Sequence, residues 1–368
     1  MKEQGRKTAL VMAGGTGGHI FPGLAVAEAL RARGWNVHWL GKPESMESDK
    51  VPARGFAFEP VEFGGVRGKG LGTLLRLPFS LARAIRASRT VMDRVQPDVV
   101  ISMGGYITAP AGIAAALHGK PLILHEQNSV PGMANKLLSR FARRVFTAFP
   151  DVFLPTAGKP DARNGKVQWV GNPLREPFLA QAEPAQRFAG RSGPLKLLVV
   201  GGSLGAKALN DTVPQALALI DPAERPLVAH QSGEKQLQAL QQAYADAEVD
   251  AALLPFIDDT AQAFGEADII VCRSGASTVT ELAAVGAPAL FVPFPFAVDD
   301  HQTTNARFLV DQGGGWLMQQ SGLTPEKLAD FLRGLTREDL LDKAQHAKKM
   351  EKRMATGAIV AACEEFAA

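Results

Sequence analysis

Twice in this chain a strand-length apolar run empties into a glycine loop and then into a helical pattern. Thr8-Ala9-Leu10-Val11-Met12 leads into Ala13-Gly14-Gly15-Thr16-Gly17-Gly18-His19, and Leu195-Lys196-Leu197-Leu198-Val199-Val200 leads into Gly201-Gly202-Ser203-Leu204-Gly205-Ala206. Apolar runs without alternation are strands buried on both faces, which requires a parallel sheet with helices above and below. A Gly-Gly-hydroxyl-x-Gly loop between strand and helix also turns backbone N–H groups toward an anion at the positive end of a helix dipole. Tight turns that only let helix and strand pack closely are the plainer account of either loop taken alone.

The rest of the chain repeats the alternation. Strand candidates fall at 8–12, 36–40, 98–102, 121–124 and 145–148, with helices near 22–33, 73–95, 106–118 and 132–141. After the proline-bracketed turn Asn172-Pro173-Leu174-Arg175-Glu176-Pro177 the plan restarts, with strands at 195–200, 226–230, 252–254, 268–272 and 288–293 and a helix near 207–220. The expected fold is therefore α/β, two Rossmann-like domains facing a cleft. The 368 residues suit two domains: 1–172, and 173–349, with the last helical stretch, 337–367, carrying residues 350–368 back to the first.

Composition narrows the function by exclusion. Forty basic against 37 acidic residues give a net charge of only +3, no general field for nucleic acid. Cys272 and Cys363 have no paired or metal-ligand spacing, as in a reducing compartment. The charged N-terminus is followed by a run too short for a signal core, so a cytosolic chain is expected, and no stretch is long enough to span a bilayer. Ile20 stands where a dinucleotide loop needs its third glycine, no acidic residue ends the second strand, and neither loop ends in Gly-Lys-Ser/Thr. No Asp-x-Asp for a metal occurs.

Five groups of residues remain as chemistry. Cys272 to Gly286 runs from a strand into a helix, with Ser274 to Thr278 offering hydroxyls and amides and Glu281 one turn further on. Glu281 either reaches a vicinal diol or only complements the helix dipole. Asp299-Asp300-His301-Gln302-Thr303-Thr304 opens another helix with polar groups suited to sugar hydroxyls, or to capping alone. Arg175 beside the second glycine loop is the counter-charge a metal-free diphosphate site needs, or a surface arginine. In the first half, the stretches from Ser102 to Tyr106 and from Leu124 to Ser129 each follow a strand and gather with the opening loop at the carboxyl edge of the sheet, where open α/β sheets bind ligands, giving one rim with His19, Tyr106, His125, Glu126 and Asn128. From Gly64 to Arg94, Arg67, Lys69, Arg76, Arg83, Arg86, Arg89 and Arg94 alternate with leucines and Phe79. That is either a membrane-facing segment or a domain helix with a solvated basic face.

Together, "AGGTGGHIFPGLAVA", "MGGYITAPAGIAA", "HEQNSVPGMANK", "VGNPLR", "GGSLGA", "RSGASTVTELAAVGAPALFVPFP" and "DDHQTTNA" resemble the UDP-N-acetylglucosamine transferases of bacterial peptidoglycan synthesis, in order over most of the chain. The resemblance implies a GT-B fold and inverting transfer of N-acetylglucosamine from UDP-N-acetylglucosamine to undecaprenyl-pyrophosphoryl-N-acetylmuramoyl-pentapeptide (lipid I), giving lipid II, with no cofactor. It implies donor contacts at Thr16, Gly17, Gly18, Asn128, Arg175, Ser203, Ile257 through its backbone, Ala276, Ser277, Thr278, Val279, Thr280, Glu281 and Gln302. Gly104, Gly105, Tyr106 and His125 fall on the acceptor side. His19 is the first candidate for general base, with Glu126 and Asn128 positioning the acceptor; orienting the loop or binding the acceptor diphosphate is its other reading. Leu204 stands where the family often has glutamine. The resemblance further implies a peripheral enzyme on the anionic cytoplasmic face of the inner membrane, alongside other cell-wall synthesis proteins and without nucleic acid. A diacylglycerol glycosyltransferase, a non-hydrolysing UDP-sugar epimerase and a nucleotide-sugar sensor are the competing readings.

Overall fold

The structure, a computed structural model, describes residues 5–64, 71–153, 165–202 and 205–367, and the side chains of all of these except 71–75. Two parallel sheets organise them. The first holds β1 (Thr8–Met12), β2 (Asn36–Gly41), β3 (Ala57–Pro60), β4 (Val99–Ser102), β5 (Leu122–Glu126), β6 (Arg144–Thr147) and β7 (Val167–Trp169), in the order β3-β2-β1-β4-β5-β6-β7. The second holds β8 (Lys196–Val200), β9 (Leu227–Gln231), β10 (Ala252–Leu254), β11 (Ile269–Cys272), β12 (Ala289–Phe291) and β13 (Gly315–Leu317), in the order β10-β9-β8-β11-β12-β13. In both, the strand that opens the unit lies at the centre: Val11 pairs with Trp39 on one side and Ile101 on the other, and Val199 with His230 and Val271. The order reverses on either side of β1 and of β8, so each sheet has its switch point beside a glycine loop.

The central strands are as dry as their composition demands. Every residue of β1, β4, β5 and β11 is buried, which is why they read as continuous apolar runs. Three strands escaped the sequence reading, β3, β7 and β13, and all three lie at sheet edges. Their sequences, AFEP, VQW and GWL, are short and partly exposed, so they carry neither a long apolar run nor alternation.

The chain forms two compact units, Met1–Leu174 with Lys352–Ala368, and Arg175–Glu351. The expected single helix at 337–367 is two, Arg337–Lys349 and Ala355–Phe366, and the break between them is where the chain passes from one unit to the other. Ile359, Val360, Ala362 and Cys363 of the last helix join the core of the first unit with Ile20, Leu24, Ala27 and Leu30. Burying Ile359 or Val360 contributes about 1.5 to 3 kcal/mol each. Both cysteines are free and buried, and burial pushes both thiols up, so neither is a reactive thiolate.

Candidate functional site

In the first unit the helix begins inside the glycine loop, at Gly17 rather than near residue 22, and runs to Ala32. Poor helix formers at Gly17 and Gly18 hide this start, and Pro22 lies within the helix, missing only the bond it would have made to the Gly18 carbonyl. Thr16 is the N-cap, in an extended conformation and without a side-chain capping bond, and the first turn has no acidic residue. The leading amides of Gly17 and Gly18 therefore keep the partial positive charge of a helix end.

The loops after β1 and β4 interlock at the switch point. The Gly14 amide donates to the Gly104 carbonyl at 3.4 Å, and a Cβ on Gly105 would stand 2.2 Å from the Gly14 carbonyl oxygen. Only glycine fits there, where φ is also +93°. The Tyr106 ring lies against Gly15, and the His19 ring against Gly104, a Cβ of which would meet His19 Nδ1 at 3.0 Å. Beneath them Glu47, fully buried, accepts from the amides of Gly15 at 3.4 Å and Lys42 at 3.3 Å. Burial, and then the Glu47 carboxylate, push the Tyr106 hydroxyl pKa up, so it stays a donor at neutral pH. Thr16, Gly17, Gly18, His19, Gly104, Gly105 and Tyr106 thus share one rim.

The segment after β5 meets that rim through a residue the sequence reading passed over. Gln127, 1 % exposed, has its Oε1 2.9 Å from His19 Nδ1 and its Nε2 3.1 Å from His125 Nδ1. His125 and Glu126 correct the expectation that both line the rim. His125 is fully buried, with Nε2 2.9 Å from the Gly171 carbonyl, and burial lowers its pKa to about 4. Both ring nitrogens are occupied, which leaves nothing for an acceptor. Glu126 is 1 % exposed and accepts from the Asn128 amide at 2.9 Å, the Gly132 amide at 3.0 Å and Asn135 Nδ2 at 2.8 Å. Its carboxylate shapes the turn that presents Asn128, which is half-buried. The signal for Gln127 was strand parity: alternate residues face one side, so His125 and Gln127 go together while Glu126 points away.

In the second unit the corresponding features are a loop, two helix ends and an ion pair. Gln231 ties the glycine loop to the loop after β10: its Oε1 accepts from the Gly202 amide at 3.1 Å, and its Nε2 donates to the carbonyls of Gly202 at 3.0 Å and Pro255 at 3.1 Å. Ile257 sits half-buried in that second loop, its carbonyl accepting from Thr260 Oγ1 at 3.4 Å. A Cβ on Gly205 would stand 1.9 Å from the Ser232 carbonyl oxygen, with φ at +74°. Ser203 and Leu204 lie outside the described residues.

The helix Ala276–Val285 follows β11, with Gly275 as N-cap and no acidic residue in its first turn. Ser274 Oγ and Ser277 Oγ are buried without a hydrogen-bond partner, hydroxyls set for a polar group from outside. Ser277, Thr278 and Glu281 share the open face. Ala276, Val279 and Thr280 do not: Val279 is fully buried, Ala276 and Thr280 are 6 % exposed, and Thr280 Oγ1 donates to the Ala276 and Ser277 carbonyls. Of the predicted run, those three keep only their backbone for a ligand. Arg175 Nη2 is 4.0 Å from Glu281 Oε1, and its guanidinium lies over the Phe178 ring. Burial raises the Glu281 pKa to about 7 despite that cation.

The helix His301–Val310 opens behind two consecutive non-glycine residues at positive φ, Asp299 at 53° and Asp300 at 49°. Backbone held this way is concentrated at functional sites. It sets Gln302, whose Oε1 accepts from the Phe294 amide at 2.9 Å, leaving its amide nitrogen to donate outward. Arg273, not foreseen, holds the approach to this turn through the Val292 and Pro293 carbonyls and Gln320 Oε1.

Known proteins match this chain in both units. Residues 9–147 match the model of the glycosyltransferase family 28 N-terminal domain, and residues 196–359 that of the family 28 C-terminal domain. A protein of Acidovorax sp. (strain JS42), named UDP-N-acetylglucosamine--N-acetylmuramyl-(pentapeptide) pyrophosphoryl-undecaprenol N-acetylglucosamine transferase, is 67 % identical over 98 % of this chain and 88 % of its own. One of the same name from Paracidovorax citrulli (strain AAC00-1) is 64 % identical over 98 % and 99 %. The crystal structure of MurG from Acinetobacter baumannii superposes with a TM-score of 0.84, at 39 % identity over 98 % of this chain and 99 % of that one. Two parallel α/β units with both family 28 domains, matched by whole-length relatives this similar, give a GT-B fold, and the chain belongs to glycosyltransferase family 28, among its undecaprenol-pyrophosphoryl N-acetylglucosamine transferases.

Proposed function

We propose that this protein transfers N-acetylglucosamine from UDP-N-acetylglucosamine to lipid I, giving lipid II. The observation that carries the reading is the pairing of one unit that offers a half-buried histidine at a helix end with another that offers buried, unpartnered hydroxyls beside an Arg175–Glu281 pair. The first set is suited to taking a proton, the second to holding a nucleoside diphosphate. Relatives more than 60 % identical, named for this transfer, supply the substrates.

In this reading the diphosphate lies at the N-terminus of the Ala276–Val285 helix, met by amide dipoles, Ser277 and Thr278, with Arg175 as counter-charge. Glu281 accepts from ribose hydroxyls, Ile257 meets the base through its backbone, and Gln302 donates to the sugar. The acceptor hydroxyl, set by Asn128 and Tyr106 beside Thr16 to Gly18, attacks the anomeric carbon as the bond to UDP breaks. Its proton goes to His19. Incubating labelled donor with and without lipid I tests this: product only with lipid I is expected, UDP release without lipid marks an epimerase, and binding without turnover marks a sensor.

The acceptor brings the enzyme to an anionic membrane surface. No described helix is long and apolar enough to cross one. On the helix Leu71–Val95, Arg76, Phe79, Arg83, Arg86 and Arg89 are exposed while Leu77, Leu81 and Ile85 are half-buried. The basic side chains with Phe79, 78 % exposed, rather than the leucines, form the docking face; Arg67 and Lys69 lie outside the described residues. Salt-sensitive binding to vesicles containing anionic lipid is expected, and absence of binding at low salt counts against it.

A further inference from the structure

The hydrogen bonds around His19 fix more than its position. The chain of contacts runs from the Gly171 carbonyl to His125 Nε2 at 2.9 Å, from His125 Nδ1 to Gln127 Nε2 at 3.1 Å, and from Gln127 Oε1 to His19 Nδ1 at 2.9 Å. One end is unambiguous, because a backbone carbonyl only accepts. His125 Nε2 therefore carries a proton. Buried and with its pKa lowered to about 4, His125 is neutral near pH 7, so its Nδ1 is a lone pair and requires a donor. The Gln127 amide nitrogen is that donor, and a flipped amide would set oxygen against lone pair. Gln127 Oε1 then has one role left, to accept from His19 Nδ1–H.

We infer that Gln127 and His125 are positioning residues that hold neutral His19 in its Nδ1–H form, with the lone pair on Nε2. The inference rests on the reading of His19 as general base and names what makes it one. A neutral imidazole in water exchanges between two tautomers; only one has a free pair on Nε2. A charged carboxylate is the common device for selecting it. Here a neutral carboxamide does so, itself oriented by a buried histidine anchored on the backbone.

The step balances. The acceptor hydroxyl's oxygen forms the bond to the anomeric carbon, the carbon–oxygen bond to UDP breaks with its electron pair leaving on the diphosphate, and the hydroxyl proton ends on His19 Nε2. The resulting imidazolium still donates from Nδ1 to Gln127 Oε1, so no partner must turn during transfer. The register also explains the left-handed glycine at position 104, φ +92°: a side chain there would displace the His19 ring from Gln127.

The test reads the tautomer directly and then its kinetic consequence. In the full chain labelled with ¹⁵N-histidine, His19 assigned by difference from His19→Ala is expected to show the Nδ1–H pattern near neutral pH. Gln127→Leu is expected to convert it to a mixture and to lower kcat about 10- to 100-fold, with the donor KM within about twofold. In the His19→Ala background, adding Gln127→Leu is expected to change the rate less than about twofold, since the glutamine acts only through the histidine. A proton on His19 Nε2 in the unmodified protein overturns the inference, and that spectrum decides even if Gln127→Leu fails to fold. An equal loss from Gln127→Leu with or without His19 also overturns it, leaving only a structural role. Near-normal turnover by His19→Ala ends the base reading instead, whatever the tautomer.

Discussion

The two units each place a glycine loop at the switch point of a parallel sheet, yet their rims are built from opposite materials. Around β1 the rim groups are tied to one another: His19, Gln127, His125 and the Gly171 carbonyl form one chain of hydrogen bonds, and Glu126 is spent on a turn, while Ser102 Oγ and Asn135 Oδ1 are left without a partner. Around β11 they are left open, with buried hydroxyls lacking partners, an ion pair 4.0 Å apart, and a carboxyl poised near neutrality. A rim that must present one lone pair in one direction benefits from such a chain, because each bond removes a rotamer or a tautomer. A rim that must grip a polyanion benefits from dipoles and hydroxyls awaiting a guest. Topology sets where a ligand goes, and the side chains of the loops and helix starts that follow the strands set which kind.

That contrast is sharpest at His19. His19→Ala is expected to lower kcat about 10²- to 10⁴-fold while UDP affinity, measured by titration calorimetry, stays within about twofold. Comparable loss of both parameters would dissolve the division between the rims. Next come the paired glycines. Gly205→Ala forces a Cβ against the Ser232 carbonyl at positive φ and is expected to weaken UDP binding at least about tenfold and to destabilise the second unit by about 2 to 3 kcal/mol. Gly105→Ala creates the like clash with Gly14, yet is expected to slow turnover and spare UDP binding. Denaturant unfolding alongside calorimetry distinguishes the two.

Arg175→Ala is a milder intervention, expected to reduce UDP affinity about tenfold through loss of a charge-assisted contact. It is also expected to raise the Glu281 pKa further, since the guanidinium lowers it. Smallest is the pH response of Glu281 itself. Its folded pKa of about 7 lies above the ordinary 4.5, so between those values the folded state keeps a proton that the unfolded state gives up. Stability from this group is present at low pH and falls as pH rises through the window, by about 3 kcal/mol. Glu281→Gln is expected to flatten that slope in denaturant unfolding. UDP affinity is expected to rise a few-fold as the carboxylate forms, and the same variant is expected to abolish that rise.

The sequence was most legible where burial is complete. β1, β4, β5 and β11 announce themselves because both faces are covered, and β8 because its centre is; β1 and β8 lead into the glycine loops. Edge strands such as Val167–Trp169 do not, since one side meets solvent and three residues are too few to show a period. Of the candidate site, residue types at strand ends were readable, but orientation was not. His125 and Glu126 looked like rim residues because both are polar and follow a strand, and only the packed structure shows that both face inward and are consumed. Gln127 was overlooked for the converse reason: an uncharged amide between two titratable neighbours has no chemistry of its own, only the capacity to couple one group to another.

The return of Ala355–Phe366 to the first unit bears on how the protein is made. Synthesis delivers residues in order, and the first unit's strands emerge long before the helix that completes their core. Until all of Arg175–Glu351 has followed, the apolar face of Gly17–Ala32 that Ile359 and Val360 cover stays open to water or to other chains. The usual order, in which an N-terminal domain folds first, is therefore inverted: the second unit is the first that can be finished on the ribosome. The first must wait, half-built, for a helix made only after the whole of the second unit.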